Sequence, residues 1–335
     1  MRHYEHRTAF AHYTVKQWNE GPLSDFATTA YRLTVDYMDV EAWSQKLSRF
    51  VSQPHADQVQ ALIVGAWWTN DYTDTSSVVA ALVAHHQRLP NLKSLFIADV
   101  TSDEIEISWI DQSDISPLFM AYPHLEHFGL RGAQNMRLGH IRHQTLRSFT
   151  VESGGMSSLL LGQLAKADLP QLVDLELWTG SPFYGWDGTL ADLLPFINGA
   201  AFPHLKRLAL CNCMIADEVA VALSRSPLFE RLETIDLSLG ALGDAGVAAL
   251  LSHPTLRQFH LYEQQPLPFV ADEDTPRPLA LKTLDVRHHF CSSAAMRALN
   301  ALSAHGFQVY VGPAEEEDRD LRGDNDNGRY VAVGE

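Results

Sequence analysis

The sequence is poor in cysteine, in cationic charge and in long apolar runs. Its 335 residues hold three cysteines, Cys211, Cys213 and Cys291, an odd number without paired spacing, and no Asn-x-Ser/Thr acceptor. Disulfide-stapled secreted scaffolds are therefore excluded, and a reducing, cytoplasmic compartment is expected. Lysine and arginine number 25 against 41 acidic side chains, a formal net charge of −16. A nucleic-acid backbone or an anionic membrane requires a basic footprint, so neither is expected as a partner. Apolar stretches such as Ala61 to Trp68 fall far short of the roughly 18 to 20 residues that span a bilayer. The first ten residues mix His, Arg, Tyr and Glu, and no secretory leader is expected from them. Gly-rich phosphate cradles, a G-x-S-x-G elbow and an H-E-x-x-H pair are also missing, which removes support for several enzyme classes. Cys211-x-Cys213 is too short a spacing for a zinc knuckle. No cofactor and no metal is expected.

What the chain does have is a repeat. The pattern apolar-x-x-apolar-x-apolar recurs as Val59-Leu62-Val64, Leu92-Leu95-Ile97, Leu125-Phe128-Leu130, Leu146-Phe149-Val151, Leu172-Leu175-Leu177, Leu205-Leu208-Leu210, Leu232-Ile235-Leu237, Leu256-Phe259-Leu261 and Leu281-Leu284-Val286. First positions lie 33, 33, 21, 26, 33, 27, 24 and 25 residues apart, around the leucine-rich-repeat period of roughly 20 to 29. Ala30-Leu33-Val35 and Phe307-Tyr310 are expected as terminal strands. Pro90, Pro123, Pro170, Pro203 and Pro254 each precede a first leucine by two residues. Proline ends a helix and biases its predecessor to extended geometry, so each is read as a hand-over from helix to strand. Apolar residues three or four apart between the strands predict helices, with Asp217, Asp244 and Ser292 or Ser293 as N-caps and Gly306 as a stop.

One strand and one helix per repeat predict an α/β solenoid, a leucine-rich-repeat horseshoe with parallel strands on the concave face and helices on the convex face. The expected organisation is an N-terminal extension over 1–29, the repeat domain over 30–311 and an acidic tail over 312–335. Residues Glu315 to Gly328 hold seven acids against two arginines and read as a solvated linker. The apolar ending Arg329 to Glu335 is read either as a capping edge strand or as a segment captured by a partner.

The stretches LETIDLSLGALGDAGVAALL (Leu232 to Leu251) and LKRLALCNCMIADEVAVAL (Leu205 to Leu223) resemble the ribonuclease-inhibitor-like class of leucine-rich repeats. Cys213 falls at the Asn/Cys position of that consensus, whereas Gly154, Gly180 and Gly240 depart from it. The resemblance covers about residues 30 to 310 and speaks to fold. EISWIDQSDISP (Glu106 to Pro117), LELWTG (Leu175 to Gly180) and RYVAVGE (Arg329 to Glu335) resemble a bacterial leucine-rich-repeat family of unassigned function. That resemblance implies a cytoplasmic accessory protein encoded near radical-SAM and ATP-grasp-like enzymes.

Strand alternation sends the third, fifth and seventh positions of each repeat to the concave solvent side. The C-terminal two-thirds of that wall carries Glu152, Asp174, Glu176, Asp236 and Asp285, with Trp178, His260, Tyr262 and Arg287 among them. Aromatic anchors in an acidic field suit a basic or amphipathic protein partner. Loop aromatics add Trp67, Trp68 and Tyr72 after one strand, and Phe183, Tyr184 and Trp186 after another. The expected function is a non-enzymatic protein-interaction scaffold or accessory subunit. The alternative is an enzyme or carbohydrate-binding subunit using the row Asp236, His260 and Asp285 on three consecutive strands together with the aromatic loops.

Overall fold

The computed structural model describes residues 5–257, 279–316 and 328–333. They divide into two compact units: a first built from the chain up to Ser153 with Gly162–Leu172, and a second from Gly154–Leu161 and the chain beyond Val173. Each is an α/β assembly of strands in sequence order with helices returning between them.

In the first unit the strands are β1 (Ala9–Phe10), β2 (Tyr13–Gln17), β3 (Thr29–Leu33), β4 (Ala61–Val64), β5 (Ser94–Ile97), β6 (His127–Arg131) and β7 (Ser148–Glu152). All neighbours pair in parallel except the hairpin β1–β2, closed by a turn with Ala11 at φ 52°. Helices α1 (Trp43–Val51), α2 (Ser76–Ala84) and α3 (Ser116–Ala121) return after β3, β4 and β5 and pack side by side. The repeated apolar positions share one register, Leu62 with Leu95, Leu95 with Phe128 and Phe128 with Phe149, and all four are buried. Burying each such side chain stabilises by roughly 1.5 to 3 kcal/mol, which is why the leucine period dictates the stacking. Residues 1–29 were expected as an N-terminal extension, and within them β1 and β2 continue the sheet of the first unit.

The second unit carries β8 (Asp174–Gly180), β9 (Arg207–Cys213), β10 (Thr234–Asp236), β11 (Thr283–Asp285) and β12 (Gln308–Tyr310), paired in parallel. Its helices are α5 (Leu190–Ile197), α6 (Ala216–Ser224), α7 (Asp244–Leu251), α8 (Pro254–Arg257) and α9 (Ser293–Ala301). Helix α4 (Ser158–Leu164) follows β7 in the chain. One repeat departs from the sequence reading. Leu256 lies in α8, Phe259 and Leu261 lie outside the described residues, and β10 pairs directly with β11. Pro254 opens a helix instead of ending one: at the first helical position its missing N–H costs nothing, and the His253 ring nitrogen accepts the next N–H, from Thr255.

Capping runs from one repeat to the next. Ser292 caps α9 as expected, accepting the Ala295 N–H, and Gly306 stops the following turn at φ 90°. Asp217 sits in the first turn of α6 and accepts the Gly243 and Gly246 N–H groups of α7 at 2.7 and 2.9 Å. Asp244 likewise accepts the Ser292 N–H ahead of α9. Each acid satisfies donors at the start of the next helix, so the register of successive helices is held by polar as well as apolar contacts.

His143, between β6 and β7, is buried, donates from Nε2 to the Tyr122 carbonyl at 3.0 Å and lies edge-on to Phe119. Burial pushes its pKa below the ordinary 6.5, opposed by the Tyr122 hydrogen bond and reinforced by the nearby His124. The neutral ring therefore contributes stability that is complete above about pH 6.5 and is lost as pH falls through the depressed folded value. The melting temperature is expected to fall between pH 7 and pH 5, and His143→Phe should flatten that dependence; an unchanged slope would remove His143 from the account.

Among the described residues, no helix is long and apolar enough to cross a membrane.

Candidate functional site

The strand face expected to be an open wall is closed over much of its extent. In the first unit Ile63 and Phe96, both fifth-position residues, form one buried cluster with Ala30, Ala61 and with Phe10 and Tyr13 of the β1–β2 hairpin. The Phe96 ring lies over Gly129, where any Cβ would overlap it, and meets Phe10 edge-on at 5.4 Å. Small residues in this part of the row thus make room for packing from the same chain. The solvated wall inferred from alternation needed the assumption that nothing covered it, and the N-terminal segment does.

That segment also enters a buried charge network at the carboxyl ends of the strands. Arg131 and Glu152 are register partners on β6 and β7 and form an ion pair at 2.9 Å, with both side chains buried. Arg32 on β3 pairs with buried Asp99 at 2.8 Å. Arg7 links the two: its backbone N–H meets the Asp99 carboxylate, its guanidinium pairs with Glu152 and stacks 3.9 Å from the Phe96 ring centre. Burial lowers the Arg32 pKa while Asp99 opposes the shift. Glu152, expected on the partner-facing wall, is instead a fully buried member of this network.

The second unit keeps the more accessible part of the face. Arg207 on β9 is surrounded by three carboxylates: Asp174 at 2.9 Å, Glu176 at 2.8 Å and Asp236 at 3.3 Å. Desolvation works against its charge, yet Glu176, Asp174 and Asp236 together raise its pKa. Asp236 and Asp285 are direct register partners on β10 and β11. The row expected as Asp236, His260, Asp285 is corrected accordingly: no strand intervenes between the two aspartates, and His260 and Tyr262 lie outside the described residues. Asp285 holds Arg287 at 2.5 Å, and Arg287 in turn lies 5.4 Å from the Tyr310 ring centre. Asp236 accepts the Ser238 hydroxyl at 2.6 Å, and Glu176 accepts the Trp178 indole N–H at 2.9 Å. Four carboxylates therefore face two arginines. Asp174, with a side chain 37% exposed, and the exposed Arg287 are the members that solvent reaches most.

The loop aromatics divide. Trp67, Trp68, Trp178 and Trp186 are buried, Trp67 donating to the Thr73 and Asp74 carbonyls and meeting Trp68 edge-on and Tyr72 at a tilt. Tyr184 is half-buried in a short 3-10 turn, and its neighbour Phe183 is 68% exposed. The three cysteines are buried and unbridged, and burial raises their thiol pKa values, to about 11 for Cys213 and about 12 for Cys291. At neutral pH these thiols stay protonated and are poor nucleophiles. Among the described residues no three His, Cys, Asp or Glu side chains converge to hold a metal ion.

With this geometry in hand, the comparisons speak to the architecture. The chain is similar to a Bacteroides fragilis protein whose crystal structure comes from a structural-genomics programme, with a TM-score of 0.73 and 21% identity over 92% of this chain and 78% of that one. That likeness shows a shared fold. No family model matches the sequence, and no curated protein matches it.

Sequence reasoning found the acidic residues and missed most of their partners. Arg207 stands at the third repeat position, in register with Asp174, and following that row as closely as the fifth and seventh would have exposed the pair. Arg7, Arg32 and Asp99 gave no signal, because their meeting depends on the N-terminal hairpin and on chain separations of 92 residues and 67 residues.

Proposed function

We propose that the chain is a non-enzymatic, cytoplasmic protein-interaction scaffold of the leucine-rich-repeat class. It engages a basic or amphipathic protein segment on the strand face of the second unit. The observation that carries the reading is the charge imbalance there: among the described residues, the four carboxylates Asp174, Glu176, Asp236 and Asp285 lie around the two arginines Arg207 and Arg287. Internal arginines fix the carboxylates in one geometry, and the surplus of negative charge favours an added cation over an anion. Of the aromatics that would stack on a sugar in the alternative, Trp178 and Trp186 are buried, while Phe183 and Tyr184 are not.

A panel of arginine-bearing amphipathic peptides tests this by fluorescence anisotropy. Binding is expected to weaken about tenfold between low and high salt and to weaken further in Asp174→Asn with Asp285→Asn. Salt-independent binding, or indifference to both substitutions, would overturn the reading; a melting shift with small sugars would favour the alternative.

A further inference from the structure

The C-terminal residues Arg329 to Val333 do not form the edge strand the sequence allowed. They lie across the carboxyl ends of β9, β10 and β11, where three successive repeats place a non-glycine residue in the left-handed region: Asn212 at φ 52°, Leu239 at φ 67° and His288 at φ 60°. These three occupy the same repeat position, one residue after the seventh, and each turns a polar group toward the segment. The Asn212 carboxamide accepts the Val333 N–H and donates to the Val333 carbonyl, reading both backbone groups of one residue, and both residues are fully buried. Leu239 offers its carbonyl to the Ala332 N–H at 2.9 Å. His288 bonds the Tyr330 carbonyl through Nε2, and Tyr330 sits edge-on to His288 and Phe290 at 5.6 and 5.1 Å. Arg329 reaches Asp217 at 2.8 Å. Its guanidinium fills the space above Gly243, which any Cβ would invade.

We propose that this rail is a peptide-binding site, separate from the strand face, that reads an Arg-Tyr-x-x-Val pattern and is occupied in this chain by its own C-terminal segment. The charge is met by Asp217 of one repeat and the ring by His288 and Phe290 of another, while the backbone is held by Asn212, Leu239 and His288 of all three. The Asn212 carboxamide and the Val333 N–H and carbonyl are buried polar groups that pair with one another in this contact. Such a site binds the same pattern presented by another protein, in competition with the covalently attached copy, whose effective concentration is on the order of millimolar. Gly243 provides a clean probe. Its backbone is extended, at φ −129° and ψ −167°, a conformation alanine adopts, so Gly243→Ala obstructs Arg329 without straining the turn. Asp217→Asn keeps the oxygen that caps α7 and removes the charge that meets Arg329.

The test uses the full chain carrying Arg329→Ala, Tyr330→Ala and Val333→Asp, which empties the rail, and a labelled GRYVAVGE peptide followed by anisotropy. The emptied chain is expected to bind the peptide at least about tenfold more tightly than the native chain, with a scrambled peptide unbound. Adding Gly243→Ala, which forces the Arg329 guanidinium to shift, should weaken binding, as should adding Asp217→Asn. Failure of the emptied chain to bind while its circular dichroism matches the native chain would overturn the proposal, as would binding that ignores Gly243→Ala. Should the emptied chain not fold, amide exchange at Ala332 and Val333 in the otherwise native chain decides: slow exchange that quickens on Gly243→Ala is expected, and fast exchange in the native chain overturns it. None of these readouts involves Asp174 or Asp285, so the two proposals fail independently.

Discussion

Arg131→Ala is expected to destabilise the protein by about 3 to 5 kcal/mol, the range for removing one partner of a buried ion pair. Arg131 is 1% exposed, and Glu152 opposite it is fully buried. Without the guanidinium, Glu152 would keep Arg7 as a partner but lose its bond on the other oxygen, and the Val100 carbonyl would lose a donor as well. A cavity the size of most of an arginine adds to the cost. Urea denaturation measures the loss. Converting both members to apolar residues, Arg131→Met with Glu152→Leu, should recover part of it, because the desolvation of this pair is avoided, while Arg7 loses its Glu152 partner. A single variant within about 1 kcal/mol of the native chain, or a double variant no better than the single, would contradict the role given to this pair.

The second large effect concerns a glycine. Gly180 ends β8 at φ 78°, and the backbone of residues 154–156 runs against it: Gly155 bridges Gly180, the Met156 N–H meets the Thr179 carbonyl, and the Ser181 N–H meets the Gly154 carbonyl, the last two at 2.9 Å. A Cβ at Gly180 would overlap the Gly154 carbonyl group, which is backbone and has no rotamer to change. Gly180→Ala is therefore expected to cost more than about 4 kcal/mol, in the exceptional tail for single substitutions. Gly162→Ala is the control. That glycine is exposed within α4 and has open space around its Cβ position, so alanine should stabilise by about 0.5 to 1 kcal/mol through helix propensity. Equal effects at the two sites in thermal melts would show that the close backbone approach is not what Gly180 serves.

The same glycine illustrates how far the sequence could be read. Gly154, Gly180 and Gly240 were visible as departures from the repeat consensus at one position, yet the reason lay in three dimensions. At Gly240 a Cβ would stand 2.8 Å from the Cys213 carbonyl oxygen, so here neighbouring repeats meet backbone to backbone where the consensus places a buried side chain. Legible in the sequence were the strands that hold Leu62, Leu95, Phe128, Leu175, Leu208 and Leu284, because a leucine in a fixed register is buried wherever the stack forms. Pro254, expected to hand the chain over to a strand, opens α8 instead, since a helix-opening proline and a helix-ending one look alike without the capping His253 beside it.

Sequence alone determined the repeat, the parallel order of the strands within each unit and the inward side of each, all consequences of a local apolar period that only stacking can bury. Tertiary structure decided what the opposite side does. Alternation says that Phe96, Glu152 and Asp236 point away from the leucines; it does not say that an N-terminal hairpin and Arg7 cover the first two, or that Arg207 is held among the acids on the second unit. Those outcomes depend on contacts between residues far apart in the chain, whose pairing no period encodes.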